Sequence, residues 1–223
     1  MYSIFFDIDG TLIETGGAGK QAFEAAFAEL FQIGEIFSGV KFAGRSDRAI
    51  ALDLMKLHGV EPSAEHWHQF MESYLKHLET TLPQCQGRVL PGVVELLDKL
   101  QTADHVLLGL LTGNLKGGAA RKLTQYGLAD RFKFGGFGDV WDDRNDIAKE
   151  AFEQARFQAR GKLAGTMVIG DTANDVACAR SIEAFAVAVA TGGTSREELQ
   201  AAEPDLLIAD LTEIDTLLAK AGV

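Results

Sequence analysis

The sequence predicts an α/β fold, a doubly wound parallel sheet that carries a helical insert. Short apolar runs alternate with stretches of helical period along most of the chain, which is the pattern of strands and helices in this class. The runs are apolar at nearly every position, as in parallel strands covered on both faces. Between about residues 16 and 86 the alternation stops, and only helical patterns occur. A length of 223 residues suits one large domain with an insert better than two equal domains.

The order of the elements gives the predicted domain organisation. Before the second strand, helices are predicted at 20–31, 47–58 and 64–82, and a cluster of glycines, Gly16, Gly17 and Gly19, precedes them. Val93 and Leu96 begin an apolar stripe of helical spacing that covers the next helix. We therefore expect a core domain of residues 1–15 and 88–223 and a helical domain of residues 16–87. The predicted strands of the core are 3–6, 106–111, 132–134, 167–169 and 185–190.

Charge and cysteine content exclude several classes of function. Acidic residues outnumber basic ones by 32 to 21, and this net charge of −11 repels nucleic acid and anionic membranes. Cys85 and Cys178 match no zinc spacing and are typical of thiols in a reducing compartment. The first apolar run stops at Asp7 without a basic region before it, unlike a signal peptide, and the later runs are too short to span a bilayer. We expect a soluble, cytoplasmic protein.

Two aspartates follow the first predicted strand directly. Asp7 and Asp9 belong to the segment Asp-Ile-Asp-Gly-Thr-Leu, at the end of the strand where parallel sheets bind ligands. A turn at that point can bring both carboxylates towards one site, whereas a buried carboxylate without a partner would be costly. The alternative is a surface turn with ordinary Asp-Gly chemistry.

Two further strand ends carry polar residues. Thr112, Gly113 and Asn114 follow the second strand, where a hydroxyl and backbone N–H groups can hold phosphoryl oxygens, although a simple strand-to-helix turn has the same pattern. Asp171 and Asp175 follow a later strand and are four residues apart, so on a helical turn they repel each other unless a cation lies near them. Oxygen ligands of this kind favour Mg²⁺ over zinc.

Together, these three motifs resemble those of the haloacid dehalogenase superfamily of aspartate-nucleophile phosphohydrolases. They are Asp-x-Asp-Gly-Thr, Thr-Gly-Asn and Gly-Asp-Thr-x-x-Asp, in that order along the chain. The helical insert looks like the cap of the phosphoglycolate-phosphatase-like group, and the resemblance covers essentially the whole sequence. It implies a Rossmann-like core with a helical cap. It also implies a Mg²⁺-dependent phosphatase that hydrolyses a small phosphorylated metabolite.

The resemblance also implies a role for each motif residue. Asp7 would be the nucleophile that forms an aspartyl-phosphate, and Asp9 would protonate the leaving alkoxide and then deprotonate water. Thr112, with the substrate-binding residues Gly113 and Asn114, would hold the phosphoryl oxygens.

The same resemblance implies a ligand set for Mg²⁺. The Asp7 carboxylate, the Asp9 carbonyl and Asp171 would bind the metal. Asp175 would be either a ligand or a residue that orients the others. Without the metal, a phosphate dianion would be repelled by this group of carboxylates.

The family also expects a lysine, often followed by proline, at a helix start before the last motif. Here that place carries Arg144, which departs from the pattern but could clamp both Asp7 and a phosphate oxygen. Lys122 and Lys149 are the alternatives, and Arg144 could instead balance its acidic neighbours in sequence. In the insert, Arg45 would face the active site and bind an anionic part of the substrate, or it would be a solvated residue at a helix start.

Two other functions stay open at this point. A phosphomutase of the same fold would use the same aspartyl-phosphate, with a sugar hydroxyl in place of water as the acceptor. A non-catalytic binding protein is the alternative from another class. The substrate and the oligomeric state are not determined by these motifs.

Overall fold

The computed structural model describes residues 1–36, 40 and 42–222. In these ranges the strands are β1 Tyr2–Phe6, β2 Ile13–Glu14, β3 Arg88–Val89, β4 Val106–Leu111, β5 Gly135–Gly136, β6 Gly165–Gly170, β7 Phe185–Val189 and β8 Leu206–Ile208. The helices are α1 Ala18–Phe31, α2 Asp47–Leu57, α3 Ala64–Thr81, α4 Val93–Gln101, α5 Lys116–Gln125, α6 Arg144–Gln158, α7 Ala173–Ser181, α8 Arg196–Ala201 and α9 Ile214–Ala221. A short 3₁₀ helix covers Ala129–Arg131. No helix in these ranges is long and apolar enough to cross a membrane.

Six strands form one parallel sheet in the order β5-β4-β1-β6-β7-β8. The first strand, β1, lies in the middle, hydrogen-bonded to β4 on one side and to β6 on the other. The chain therefore leaves the centre of the sheet in two directions, and helices cover both faces, which confirms the doubly wound α/β class. The carboxyl ends of β1, β4 and β6 lie side by side, so the three motifs that follow these strands meet at one edge.

The sequence located most of the sheet correctly. The strands predicted at 3–6, 106–111, 167–169 and 185–190 correspond to β1, β4, β6 and β7, within two residues at each end. The strand predicted at 132–134 is wrong, because the residues paired with β4 are Gly135 and Gly136. Phe132 and Phe134 instead pack their rings edge-on against Phe6 and Phe5. Glycine is depleted in strands, so a two-residue glycine strand leaves no sequence signal.

Two short features of the sheet structure were not predicted. The edge strand β8 has only three residues, and β2 pairs with β3 in a separate two-stranded antiparallel ribbon. This ribbon joins residues 13–14 to residues 88–89, at the two ends of the helical insert. Within the insert, the described residues of 16–86 form helices and loops, as expected from the sequence.

The three helices of the insert pack around an apolar cluster of their own. The predicted helices at 20–31, 47–58 and 64–82 correspond to α1, α2 and α3 within two residues. Phe23 and Phe27 of α1 contact Phe70 of α3, and Tyr74 stacks beside Phe70. All four aromatic side chains are buried, and among the described residues outside the insert Leu115 belongs to this cluster and Tyr126 packs against it. The sheet buries separate apolar clusters on its two faces.

Candidate active site

Asp7 is buried at the carboxyl end of the central strand. Its backbone N–H continues the sheet by donating to the Ile169 carbonyl oxygen at 3.0 Å. Its side chain is only 8% exposed, and its Oδ1 accepts a hydrogen bond of 2.7 Å from the Ile8 N–H. A simple surface turn would leave this carboxylate in water, so that alternative is wrong for Asp7. Asp9, two residues later, has a side chain that is 43% exposed.

Three buried carboxylates converge at this edge of the sheet. One oxygen from each of Asp7, Asp171 and Asp175 lies within 4.8 Å of the other two. Burial raises the pKa of Asp7, and it raises the pKa of Asp171 together with the charges of Asp175 and Asp7. Carboxylate oxygens are hard donors, which Mg²⁺ prefers as ligands, and a cation would relieve the repulsion among these three acids. These residues therefore fit a divalent metal ion.

Two glycines allow the backbone to close around Asp171. A Cβ atom on Gly10 or on Gly192 would overlap the Oδ2 atom of Asp171. Gly10 also has a φ of +81°, a conformation that glycine adopts without strain. Thr11 next to it donates a long hydrogen bond of 3.3 Å to Asp171 Oδ1. The turn after β1 is therefore shaped to hold the carboxylate that follows β6.

Asp175 has protein donors on both of its oxygens. Its Oδ2 accepts hydrogen bonds from the backbone N–H and the hydroxyl of Thr172, at 3.0 and 2.7 Å, which begin α7 with a capping box. Its Oδ1 accepts a hydrogen bond of 2.5 Å from Arg144 Nη2. The four-residue spacing thus places Asp171 and Asp175 in one cluster, as expected, but in different hydrogen-bonding surroundings.

Arg144 is the buried cation of this cluster. It is the first residue of α6, its side chain is 7% exposed, and Nη1 donates to Asp7 Oδ2 at 3.2 Å. Burial alone would lower the pKa of Arg144, but the carboxylates of Asp175 and Asp7 raise it, so the guanidinium stays charged. The alternative that Arg144 only balances its neighbours in sequence is wrong. Lys149 lies outside the cluster, since its exposed ammonium donates to Asp146.

Lys122 lies on the other side of the site, beside Asp9. It is 4% exposed, and its Nζ donates to Asp9 Oδ2 at 2.6 Å and to Asn114 Oδ1 at 2.5 Å. The Asn114 amide nitrogen also donates to Asp9 Oδ2, at 2.7 Å, and to the Thr112 hydroxyl, at 2.9 Å. A hydrogen bond from Thr112 lowers the pKa of Asp7 against the larger effect of burial. The Thr-Gly-Asn motif thus connects the two aspartates of the first motif.

A residue that the sequence analysis missed enters the site from the helical insert. Asp47, at the start of α2, is 9% exposed, and its Oδ2 accepts a hydrogen bond of 2.9 Å from the Leu115 N–H. Its own N–H donates to the Gly113 carbonyl oxygen at 2.7 Å, and nearby Gly44 O accepts from Asn174 Nδ2 at 2.5 Å. An acid in the first turn of a helix is common for helix stability alone, so the sequence carries no signal for this position.

Arg45 lines the site, and its guanidinium is bound to residues of the helix that follows it, α2. Its Nη2 donates to the carboxylate of Asp53 and, at 3.4 Å, to the Ala49 carbonyl oxygen. About a third of its side chain is exposed. The expectation that Arg45 faces the site therefore holds for its location, while its guanidinium already has a carboxylate partner.

A cavity of about 500 Å³ lies between the sheet edge and the helical insert. The core contributes mainly polar residues to its wall, and the insert contributes apolar side chains together with the polar residues Lys20, Arg45, Asp47 and Tyr74. The lining residues used below are Asp7, Asp9, Thr112, Arg144 and Asp171 from the core and Lys20, Phe23, Phe42, Ile50 and Tyr74 from the insert.

The protein is thus an α/β protein with a doubly wound parallel sheet, and its buried carboxylate cluster lies under a helical layer at the strand ends, where proteins of this class bind ligands. Residues 4–189 match the family model of the haloacid dehalogenase-like hydrolases, and the chain belongs to that family. It is thus an enzyme of the hydrolase class, and the resemblance predicted from the three strand-end motifs is confirmed.

Known proteins similar to this chain agree with that assignment. A phosphoglycolate phosphatase from Synechococcus elongatus is 29% identical over 99% of this chain and 100% of its own length. A phosphoglycolate phosphatase from Agrobacterium fabrum is 24% identical over 96% of this chain and 90% of its own. The crystal structure of a hydrolase from Pseudomonas syringae has the same fold, with a TM-score of 0.71 at 22% identity over 99% of both chains.

Proposed function

We propose that this hydrolase is a Mg²⁺-dependent phosphatase that cleaves a small phosphorylated metabolite through an aspartyl-phosphate on Asp7. The observation that carries the proposal is the Asp7 carboxylate, which is buried at the end of β1, paired with Arg144 and in the wall of the cavity. The phosphatases among its relatives support the same reaction class. The substrate would be an anionic small molecule that fits the cavity.

The first step is attack on phosphorus by the Asp7 carboxylate. An oxygen–phosphorus bond forms at Asp7 while the bond to the leaving alkoxide breaks, and that bond's electron pair moves to the alkoxide oxygen. The Ile8 N–H and Arg144 each hold one oxygen of the carboxylate, so its orientation is determined before substrate arrives. Thr112 and the backbone N–H of Gly113 would hold the equatorial phosphoryl oxygens.

Asp9 would transfer the protons. It gives a proton to the leaving oxygen in the first step and takes one from the water that attacks phosphorus in the second. Asp9 lines the cavity and is partly exposed there, so its carboxylate is accessible to a substrate bound in the cavity. Asn114 binds Asp9 and Thr112 through its side chain, so we assign it a positioning role beside the phosphoryl group.

The carboxylates of Asp7 and Asp171, with the Asp9 carbonyl, would hold Mg²⁺. When bound, the ion would neutralise part of the negative charge that a phosphate dianion brings to these carboxylates. The sequence left Asp175 open as a ligand or as an orienting residue. Asp175 accepts three protein hydrogen bonds, its side chain is 1% exposed, and it does not line the cavity as Asp7, Asp9 and Asp171 do, so we assign it the orienting role.

Arg144 would occupy the basic position that relatives fill with lysine. It contacts the proposed nucleophile, whereas Lys122 contacts Asp9 and Lys149 contacts Asp146 on the surface. A guanidinium has a second donor arm, which here binds Asp175. One residue therefore fixes both the nucleophile and the acid that follows β6.

We also propose the domain division of residues 16–87 as a cap on a core of residues 1–15 and 88–223. The insert has its own apolar cluster, and the β2–β3 ribbon joins the chain at the two ends of this segment. The cap supplies the apolar wall of the cavity, through side chains such as Phe23 and Ile50. Arg45 would contact an anionic substrate group only by exchanging its Asp53 partner, so we give it a secondary role.

The test is hydrolysis of aryl phosphates and of a panel of phosphorylated metabolites, with and without Mg²⁺. Wild type should release phosphate only with the metal, and Asp7→Asn should lose at least about 10⁴-fold in kcat, as expected for removal of a nucleophile. The matched control is Asp104→Asn, which changes an exposed acid just before β4, at the end of that strand opposite to the one that carries Thr112. Trapping of acid-stable, base-labile phosphate on wild type but not on Asp7→Asn would identify the intermediate.

Other outcomes would separate the alternatives. If a sugar phosphate were isomerised with its phosphate retained, the chain would be a phosphomutase with the same nucleophile. If no substrate of the panel turned over and no phosphate were trapped on Asp7, the proposed phosphatase would be wrong. Full activity of Asp7→Asn would refute the assignment of the nucleophile.

A further inference from the structure

Resting on the proposed phosphatase function, we propose that Lys122 is the positioning residue for Asp9. In this proposal Lys122 and Asn114 hold one carboxylate oxygen of Asp9, so that the other oxygen faces the leaving group. This role is separate from that of Arg144, which pairs with the nucleophile Asp7. In this proposal Lys122 does not contact the transferred phosphoryl group.

The hydrogen bonds to Asp9 are asymmetric. Lys122 Nζ and Asn114 Nδ2 both donate to Oδ2, at 2.6 and 2.7 Å. In the described part of the chain, no side chain or backbone group donates to Oδ1 of Asp9. Asp9 lines the cavity with 43% of its side chain exposed, so Oδ1 is the oxygen that remains for proton exchange with the substrate.

The position of Lys122 is suited to hold Asp9 rigidly. Its Nζ has a second acceptor in Asn114 Oδ1, at 2.5 Å, and Asn114 in turn donates to Thr112. An ammonium with 6% side-chain exposure needs such acceptors, because a buried charge without partners is costly. The triangle of Lys122, Asn114 and Asp9 therefore links the acid to the end of β4, which is a rigid element of the sheet.

The helical insert closes over this triangle. A Cβ on Gly19 of α1 would lie 3.7 Å from Lys122 Nζ and 3.8 Å from the Tyr74 hydroxyl, so α1 and α3 both cover the ammonium. Asp47, from the start of α2, is a second carboxylate that acts on the charge of Lys122. Lys122 is thus shielded from water and lies between one acid of the core and one acid of the insert.

The proposed role of Lys122 predicts how kcat/KM depends on the leaving group of the substrate. A positioned general acid matters for phenyl phosphate, whose leaving oxygen needs a proton, and matters little for 2,4-dinitrophenyl phosphate, whose leaving group departs as an anion. Lys122→Met removes the charge but keeps an unbranched side chain. We expect its kcat/KM on phenyl phosphate to fall at least about tenfold more than on the dinitrophenyl ester. Inhibition by inorganic phosphate should stay within about twofold of wild type.

Three companion variants make the result decisive. Asp9→Asn should show the same selective loss more strongly, and Lys122→Arg, which keeps a charged donor, should recover part of the activity on phenyl phosphate. Asn114→Ala removes the other donor to Oδ2 and should show the same selectivity, which keeps the test valid if Lys122→Met does not fold by circular dichroism.

Equal losses of both esters in Lys122→Met and Asn114→Ala would overturn the positioning role, as would a change confined to phosphate affinity. If wild type turned over neither ester and no metabolite of the panel, and trapped no phosphate on Asp7, the proposed function itself would be wrong. The two failures are therefore distinguishable in one set of assays.

Discussion

The two halves of the site differ in how their acidic side chains are paired. We call the part around Asp7 the sheet side and the part around Asp9 the cap side. On the sheet side, Asp7, Asp171 and Asp175 are all buried, and one cation, Arg144, bridges two of them. On the cap side, the Asp9 carboxylate is partly exposed and is held by an ammonium and an amide. The sheet side thus has three buried acids for one cation, whereas on the cap side Lys122 lies between two acids, Asp9 and Asp47, and one of them is partly exposed. This difference is the basis of our proposals that Mg²⁺ binds on the sheet side and that Asp9 transfers protons on the cap side.

Removing Arg144, the buried cation of the sheet side, should have the largest effect on the stability of the protein. Arg144→Met leaves Asp7 and Asp175 without their shared partner, and breaking a buried ion pair in this way costs about 3–5 kcal/mol. Urea unfolding followed by circular dichroism measures the free energy of unfolding. Arg144→Lys is the matched control, since it keeps the charge and should lose less. A loss below about 1 kcal/mol in Arg144→Met would show that the cluster does not depend on this pairing.

Addition of Mg²⁺ tests the same comparison, and we expect an effect of intermediate size on the stability of the folded state. If the sheet side binds Mg²⁺, the ion stabilises the folded state by about 2.7 kcal/mol at a concentration of 100 times its Kd. Asp171→Asn removes a proposed ligand and should abolish most of this stabilisation, while the exposed Asp104→Asn should keep it. Thermal unfolding with and without Mg²⁺ tests this. An equal shift in wild type and Asp171→Asn would place metal binding elsewhere.

On the cap side, we expect a change of pH to have the smallest of these effects on the free energy of unfolding. Burial raises the pKa of Asp47 to about 6, above its ordinary value of 3.8, so the folded state binds this proton more tightly than the unfolded state. The resulting stability is fully present below about pH 3.8 and is lost as the pH rises through about 6. Between pH 7 and pH 5, wild type should therefore gain roughly 1 kcal/mol of unfolding free energy relative to Asp47→Asn.

The comparison with Asp47→Asn isolates this one carboxyl group. The other buried acids, Asp7 and Asp171, are present in both proteins, so their contributions to the pH dependence cancel. Asp53→Asn, which changes a more exposed acid of the same helix, is the control and should follow wild type. Parallel stability curves for wild type and Asp47→Asn would contradict the buried position of this carboxylate.

Sequence patterns located the sheet side of the site well. Asp7, Thr112 and Asp171 each follow an apolar run directly, and their meeting required only that the runs be parallel neighbours. Arg144 was found through the order of the family motifs, with two lysines as alternatives. The sequence could not choose among these three cations, since burial and pairing depend on how α5 and α6 pack on the sheet.

The sequence by itself determined the fold class, most of the strands, the three insert helices and the acids at the strand ends. These follow from local period and from the rule that parallel strands end at one edge. Tertiary structure alone decided the contacts across the cavity, since Lys122 and Asp9 are 113 positions apart and Asp47 reaches Leu115 from another part of the chain. Such contacts depend on the packing of whole helices, which no local pattern of residues encodes.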